Sequence, residues 1–118
     1  MSEWQRISVE ELEKLTMQTN MLVLDIRDTR SYLQGHFPRA LHLDESNLRS
    51  ILKNTSRDLP ILIYCYQGNS SEDMAQLFAD FGFTRCYSLE GGYDAWFQHL
   101  EQGWYPQESI ASLQQAQI

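Results

Sequence analysis

One stretch carries the residue types for chemistry: Ile61-Leu62-Ile63-Tyr64-Cys65-Tyr66-Gln67-Gly68-Asn69-Ser70-Ser71. A β-rich apolar run ends in a cysteine, and a polar loop precedes an amphipathic pattern. In open α/β sheets, ligands bind at the carboxyl ends of the strands. A short strand-to-helix loop there turns several backbone N–H groups inward, and the helix adds the positive end of its dipole. A thiol in such a cradle is expected to ionise below the ordinary thiol range, because the donors stabilise the thiolate. Gly68 suits a loop position with positive φ and close backbone approach. Ser70 is expected to cap the helix, with Asp73 three residues on completing a box-like pair. The plainer alternative is a small apolar cysteine filling a strand end.

The neighbours of Cys65 narrow the chemistry. Phosphatases that attack with cysteine carry an arginine six positions later, whose fork grips phosphate. Here that position is Ser71, and no Lys or Arg occurs between Cys65 and Arg85. Position 68 is glycine, so no Cys-x-x-Cys exists for disulfide exchange. Two cysteines twenty-one positions apart and three scattered histidines match no metal spacing. Neither a metal nor a cofactor is expected. What remains is attack on a softer, smaller electrophile; attack on sulfur leaves a persulfide that the same amides can hold.

The surrounding pattern alternates strands with short amphipathic helices, the signature of a parallel α/β sheet. Residues 5–7 are extended and lead to a capping box at Ser8 and Glu11, followed by an apolar face of Val9, Leu12 and Leu15. Residues 21–26 read as a buried strand. Asp28 caps a brief helix over residues 29–34 that Gly35 ends, and Pro38 imposes turn geometry after His36 and Phe37. Residues 41–43 form a weak strand, and Leu48, Ile51 and Leu52 mark a helix. Residues 61–64 are the central strand. Met74, Leu77, Phe78 and Phe81 predict a helix with one buried stripe, stopped at Gly82. A strand over residues 85–89, a Gly91-Gly92 turn and a helix over residues 93–100 follow, with Trp96, Phe97 and Leu100 as core. Residues 106–118 are a polar tail, either a short helix containing Ile110 and Leu113 or frayed.

At 118 residues the chain suits one domain and leaves no room for two. A net charge of −7 repels phosphate backbones and anionic lipid, so neither nucleic acid nor a membrane surface is an expected partner. No apolar run approaches the ~20 residues that span a bilayer, and no signal-peptide pattern opens the chain. Two cysteines make no disulfide framework, so a reducing cytoplasm is the expected compartment.

Asp25-Ile26-Arg27, Gly35-His36-Phe37-Pro38-Arg39-Ala40, the Cys65–Ser70 loop and Gly91-Gly92-Tyr93-Asp94-Ala95-Trp96 stand in the order and spacing of a rhodanese. The chain resembles a single-domain rhodanese from about Ser8 to Tyr105, and its loop is most similar to that of GlpE-type thiosulfate sulfurtransferases. The resemblance implies a five-stranded parallel sheet with helices on both faces. It also implies a Cys65 persulfide that moves a sulfane sulfur from thiosulfate to a thiophilic acceptor: cyanide in an assay, a dithiol such as thioredoxin in the cell. Within this superfamily a six-residue loop suits sulfur substrates and a longer one suits phosphate; Cys65 to Ser70 fits the sulfur branch. Many larger rhodaneses carry a cation in the loop, whereas this loop has Tyr66 and Gln67.

Under that reading Cys65 is the nucleophile. The backbone N–H groups of Tyr66, Gln67, Gly68, Asn69 and Ser70 bind substrate and stabilise the developing charge. Glu72 and Asp73 in the helix's first turn oppose an incoming dianion. Asp25 and Arg27 end a strand at the same edge and are expected to fix the loop by hydrogen bonds rather than touch substrate. His36 is expected to be a satisfied turn histidine and Cys86 a buried, inert thiol; a Cys65–Cys86 bridge is the less favoured alternative. Trp104 and Tyr105 either face a partner or cover the sheet edge. Two other functions stay open: a persulfide relay supplied by a protein donor, and a non-catalytic interaction domain. Retention of Cys65 in an intact loop counts against the second.

Overall fold

The computed structural model describes residues 3–102. Among them, five strands form one sheet: β1 Gln5–Ile7, β2 Leu22–Asp25, β3 Leu41–His42, β4 Ile61–Tyr64 and β5 Cys86–Leu89. Their order is β1-β5-β4-β2-β3, with all pairs parallel. Parallel neighbours need crossover connections, supplied here by α1 Val9–Gln18, α2 Thr29–Gln34, α3 Leu48–Asn54 and α4 Ser70–Asp80; α5 Gly92–Glu101 follows β5. No helix among the described residues is long and apolar enough to cross a membrane.

The central strand is apolar throughout because both its faces are covered. Ile61, Leu62, Ile63 and Tyr64 are all fully buried. Alternation sends Leu62 and Tyr64 to one face, where they pack with Val9 and Leu12 of α1 and Trp96 of α5. Ile61 and Ile63 face the other side, with Leu52 of α3 and Ala75 and Phe78 of α4. Two layers of helix thus enclose the sheet, and the carboxyl edges of β2 and β4 stay together at one end.

Local chemistry matches the elements. The Ser8 hydroxyl accepts the Glu11 N–H at 3.1 Å while the Glu11 carboxylate accepts the Ser8 N–H at 2.9 Å, a reciprocal cap for α1. Asp28 accepts the Ser31 N–H at the start of α2, and Gly35 ends it. Phe37-Pro38-Arg39-Ala40 is a turn closed by the Ala40 N–H on the Phe37 carbonyl at 2.9 Å, with Arg39 at φ 64°. Proline second and a left-handed residue third is the arrangement of a type II turn.

Three expectations are corrected. The buried face of α4 is Ser71, Ala75, Phe78 and Ala79, and Phe81 is half exposed at the C-cap. The helix turns the Ser71, Ala75, Phe78 and Ala79 face to the sheet, and Phe81, at the cap beyond its last residue, falls outside that stripe. Phe97 is likewise half exposed, because α5 commits its neighbour Trp96 to the core. Position 70 is the first residue of α4 rather than its cap: Asn69 holds the cap position, with no side-chain cap hydrogen bond. Trp104, Tyr105, Ile110, Leu113 and the tail lie outside the described residues.

Candidate active site

Cys65 follows the last residue of β4 and is 7% exposed. Gly68 returns the chain toward it at φ +99°, and the Gly68 N–H donates to Cys65 Sγ at 3.1 Å. A Cβ at position 68 would sit 3.1 Å from the Gly91 nitrogen and 3.2 Å from the Leu89 carbonyl oxygen. Both the left-handed φ and this approach require glycine.

The amides of Gln67, Gly68 and Ser71 point to the sulfur, while two carbonyls at the start of the loop are bound from outside. The Tyr93 N–H donates to the Cys65 carbonyl at 2.8 Å, and the Asp94 N–H donates to the Tyr66 carbonyl at 3.1 Å. Both donors lie in the first turn of α5, whose N–H groups have no intrahelical acceptor. Gly92 makes this contact feasible: a Cβ there would lie 2.6 Å from the carbonyl oxygens of Cys65 and Tyr66.

Burial pushes the Cys65 thiol up, but hydrogen bonds from the Ser71 hydroxyl and from the amides of Ser71, Gly68 and Gln67 outweigh it. The net direction is below the ordinary thiol value. Cys65 Sγ lies 3.4 Å from Ser71 Oγ, which lies 2.7 Å from Ser88 Oγ; both serines are completely buried. Ser71 and Ser88 are therefore site residues beyond the expected set. Ser71 is legible in the sequence, at the position where a phosphatase has arginine. Nothing local marks Ser88.

The expected loop residues divide by role. Gly68 and Gln67 aim amides at the sulfur. Tyr66 is 46% exposed and sends its hydroxyl away, to the Asp28 carboxylate and to Ser31 Oγ at 2.6 Å. Those bonds, Tyr66 first and Ser31 second, hold Asp28 down at about 2. The Gln67 side chain reaches Asp94 at 3.4 Å. Asn69 and Ser70 are exposed at the start of α4. Glu72 is ion-paired, accepting Arg6 Nε at 2.8 Å, which offsets its charge, whereas Asp73 is exposed in the same turn.

Beneath the loop lies a buried ion pair. Arg27 grips both oxygens of Asp25, Nη2 to Oδ2 at 2.7 Å and Nε to Oδ1 at 3.1 Å, and donates to the Gly35 carbonyl at 2.6 Å. The Tyr64 hydroxyl donates to Asp25 at 2.6 Å and accepts the Phe37 N–H at 3.0 Å. The guanidinium lies 3.8 Å from the centroid of Tyr93 and 5.7 Å from that of Tyr66. Asp25 and Arg27 thus tie together β2, the turn at Gly35 to Phe37, and the aromatic rings beside the loop. His36 stacks on Tyr32 at 4.0 Å with Nδ1 2.8 Å from the Tyr32 carbonyl oxygen.

Cys86 is buried and burial pushes its thiol up to about 11. It pairs with Ile61 at the amino end of β4, whereas Cys65 lies four residues further on. At ~3.3 Å per residue that separation is well beyond the ~7 Å a disulfide tolerates. Both thiols are free, and a bridge between them is excluded in this fold.

The rhodanese-like domain model matches residues 8–99. The chain belongs to that family. Solved structures agree on the architecture. A rhodanese-like domain protein from Staphylococcus aureus has TM-score 0.68 at 20% identity, over 78% of this chain and 90% of that one. A rhodanese-related protein from Thermoplasma volcanium has TM-score 0.68 at 25% identity, over 86% and 95%. The human single-domain sulfurtransferase TSTD1 has TM-score 0.67 at 20% identity, over 79% and 95%. A rhodanese-like domain is thus established, and the four motifs are its interlocking parts: each hydrogen-bonds or packs against another around Cys65.

Proposed function

We propose that this rhodanese-like domain is a thiosulfate sulfurtransferase working through a Cys65 persulfide. The observation that carries the reading is the Gly68 N–H aimed at Cys65 Sγ at 3.1 Å, in a loop whose amides and Ser71 hydroxyl lower the thiol. Uncharged donors of this kind suit a soft sulfur anion; the loop has no arginine fork for a phosphoryl group. The Cys65 thiolate attacks the outer sulfur of thiosulfate. The new S–S bond forms as the old one breaks, and its electron pair leaves with sulfite. The inward amides then hold the persulfide charge, as an oxyanion hole holds an alkoxide. Cyanide attacks the outer sulfur, departs as thiocyanate and regenerates the thiolate. A dithiol such as thioredoxin instead leaves as a disulfide with release of hydrosulfide. No general base is needed where the thiol is already ionised.

Mass spectrometry after incubation with thiosulfate tests this. An adduct of about 32 Da, one sulfur atom, on Cys65 and removable by cyanide is the expected result. No adduct from thiosulfate, but one from a cysteine desulfurase, would replace it with the relay reading. No adduct from either source would reduce the chain to an interaction domain.

A further inference from the structure

Position 88 is a core position occupied by a hydroxyl. On the α4 side of the sheet, β4 and β5 present Ile61, Ile63 and Cys86, packed with Ala75 and Phe78. Ser88 is two residues beyond Cys86, so it projects to the same face, and it pairs with Ile63. A buried hydroxyl costs desolvation unless it is bonded. Its partner is the buried hydroxyl of Ser71, 2.7 Å away, which lies 3.4 Å from Cys65 Sγ. A chain of three polar atoms therefore runs from the apolar core to the sulfur.

We propose that Ser88 is a positioning residue that governs the ionisation of Cys65 through Ser71, an inference that rests on Cys65 being the reacting sulfur. A hydroxyl both donates and accepts. With Cys65 neutral, its S–H donates to Ser71 Oγ and the Ser71 O–H donates to Ser88 Oγ. When the thiol proton leaves to solvent, both hydroxyls rotate. Ser71 then donates to the thiolate, and Ser88 donates to Ser71. No heavy atom moves, and the thiol's own proton is the only one transferred. In the ionised state the Ser88 donation polarises the O–H that faces sulfur. Without it, Ser71 donates to sulfur while its own oxygen is left without a donor in a dry site. In the neutral state the same loss removes only a bond between two uncharged hydroxyls, whereas in the ionised state it removes one that supports a charge-assisted bond to sulfur, so loss of the hydroxyl at 88 weakens the thiolate form more.

The test is the pH profile of iodoacetamide alkylation of Cys65 in the full chain, with no sulfur donor present. Ser88→Thr and Ser88→Val share one added methyl and differ in carrying a hydroxyl or a second methyl toward Ser71; a methyl cannot approach Ser71 Oγ to 2.7 Å, so Ser88→Ala, which adds no atom, controls for that contact. Ser88→Val should move the inflection upward and slow alkylation below it by up to about tenfold, the scale of one hydrogen bond. Ser88→Thr should keep the parent profile. Ser88→Ala gives the same reading as Val without added volume. Ser71→Ala should slow alkylation at least as much, and adding Ser88→Val to it should cost nothing more, because Ser88 acts through Ser71. Equal profiles for Thr and Val, or full additivity with Ser71→Ala, would overturn the inference. A parent whose Cys65 titrates as an ordinary thiol would instead overturn the sulfurtransferase reading on which it rests.

Discussion

Tyr93 donates its backbone N–H to the carbonyl of Cys65 at 2.8 Å. With the Asp94 N–H on the Tyr66 carbonyl at 3.1 Å, this bond ties the first two loop carbonyls to α5, in a loop whose Gln67 and Gly68 amides face the sulfur. The cradle is therefore a joint product of β4, its loop and the first turn of α5, and each part makes a separate prediction.

Gly92→Ala should damage both fold and site. Its Cβ would stand 2.6 Å from two carbonyl oxygens at φ +60°, so the loop must move. A cost of ~1–3 kcal/mol is expected for such strain, a fall of several degrees in Tm for a domain of this size. Cys65 alkylation should slow in the same variant. Thermal melts and alkylation rates together check it; an unchanged melt would mean that α5 can yield.

The two cysteines should differ sharply in native protein. Cys65 sits among donors, whereas Cys86 is raised by burial alone. Iodoacetamide at neutral pH should label Cys65 and spare Cys86 until the chain is unfolded, as peptide mapping would show. Cys65→Ser should abolish persulfide formation, and Cys86→Ser should leave it intact.

Alkaline titration should weaken the fold through Cys86. Its folded thiol holds its proton up to about 11, above the ordinary 9.0, so the native state binds more protons between these values. The stability it contributes is complete below pH 9 and is lost as pH rises toward 11. Cys65 has the opposite sign: its thiol is lowered, so its contribution is complete above the ordinary thiol range and is lost as pH falls through the folded value. Melts of Cys86→Val should show a flatter alkaline limb than the parent, and Cys65→Ser should not.

Removing one partner from beneath the loop should be costly. Asp25→Ala leaves Arg27, 6% exposed, without its carboxylate. Breaking a buried pair in this way costs ~3–5 kcal/mol. Tyr64→Phe deprives the buried Phe37 N–H of its acceptor, for ~1–3 kcal/mol. Denaturant titrations should rank the two in that order.

Thiosulfate should bind weakly, with affinity that changes little with salt. It approaches a protein of net charge −7 and meets neutral donors, and Arg27 is already occupied by Asp25. A tight constant that weakens steeply with ionic strength would point to a cationic subsite instead.

Strand alternation, the Ser8–Glu11 box, the Asp28 cap and the strand-end cysteine with a positive-φ glycine three residues on were all legible in the sequence. Each follows from neighbours a few residues apart, where side-chain period and backbone geometry act directly. The direction of the loop's peptide units, the Ser71–Ser88 pair, the Arg27 cage and the outward turn of Phe81 were decided only by the tertiary structure. Those depend on hydrogen bonds and contacts between residues far apart in the chain: Cys65 with Tyr93, Ser71 with Ser88, Arg27 with Tyr93. No local pattern encodes such pairings, because they arise only when parallel strands bring their carboxyl ends to one edge and a following helix docks there.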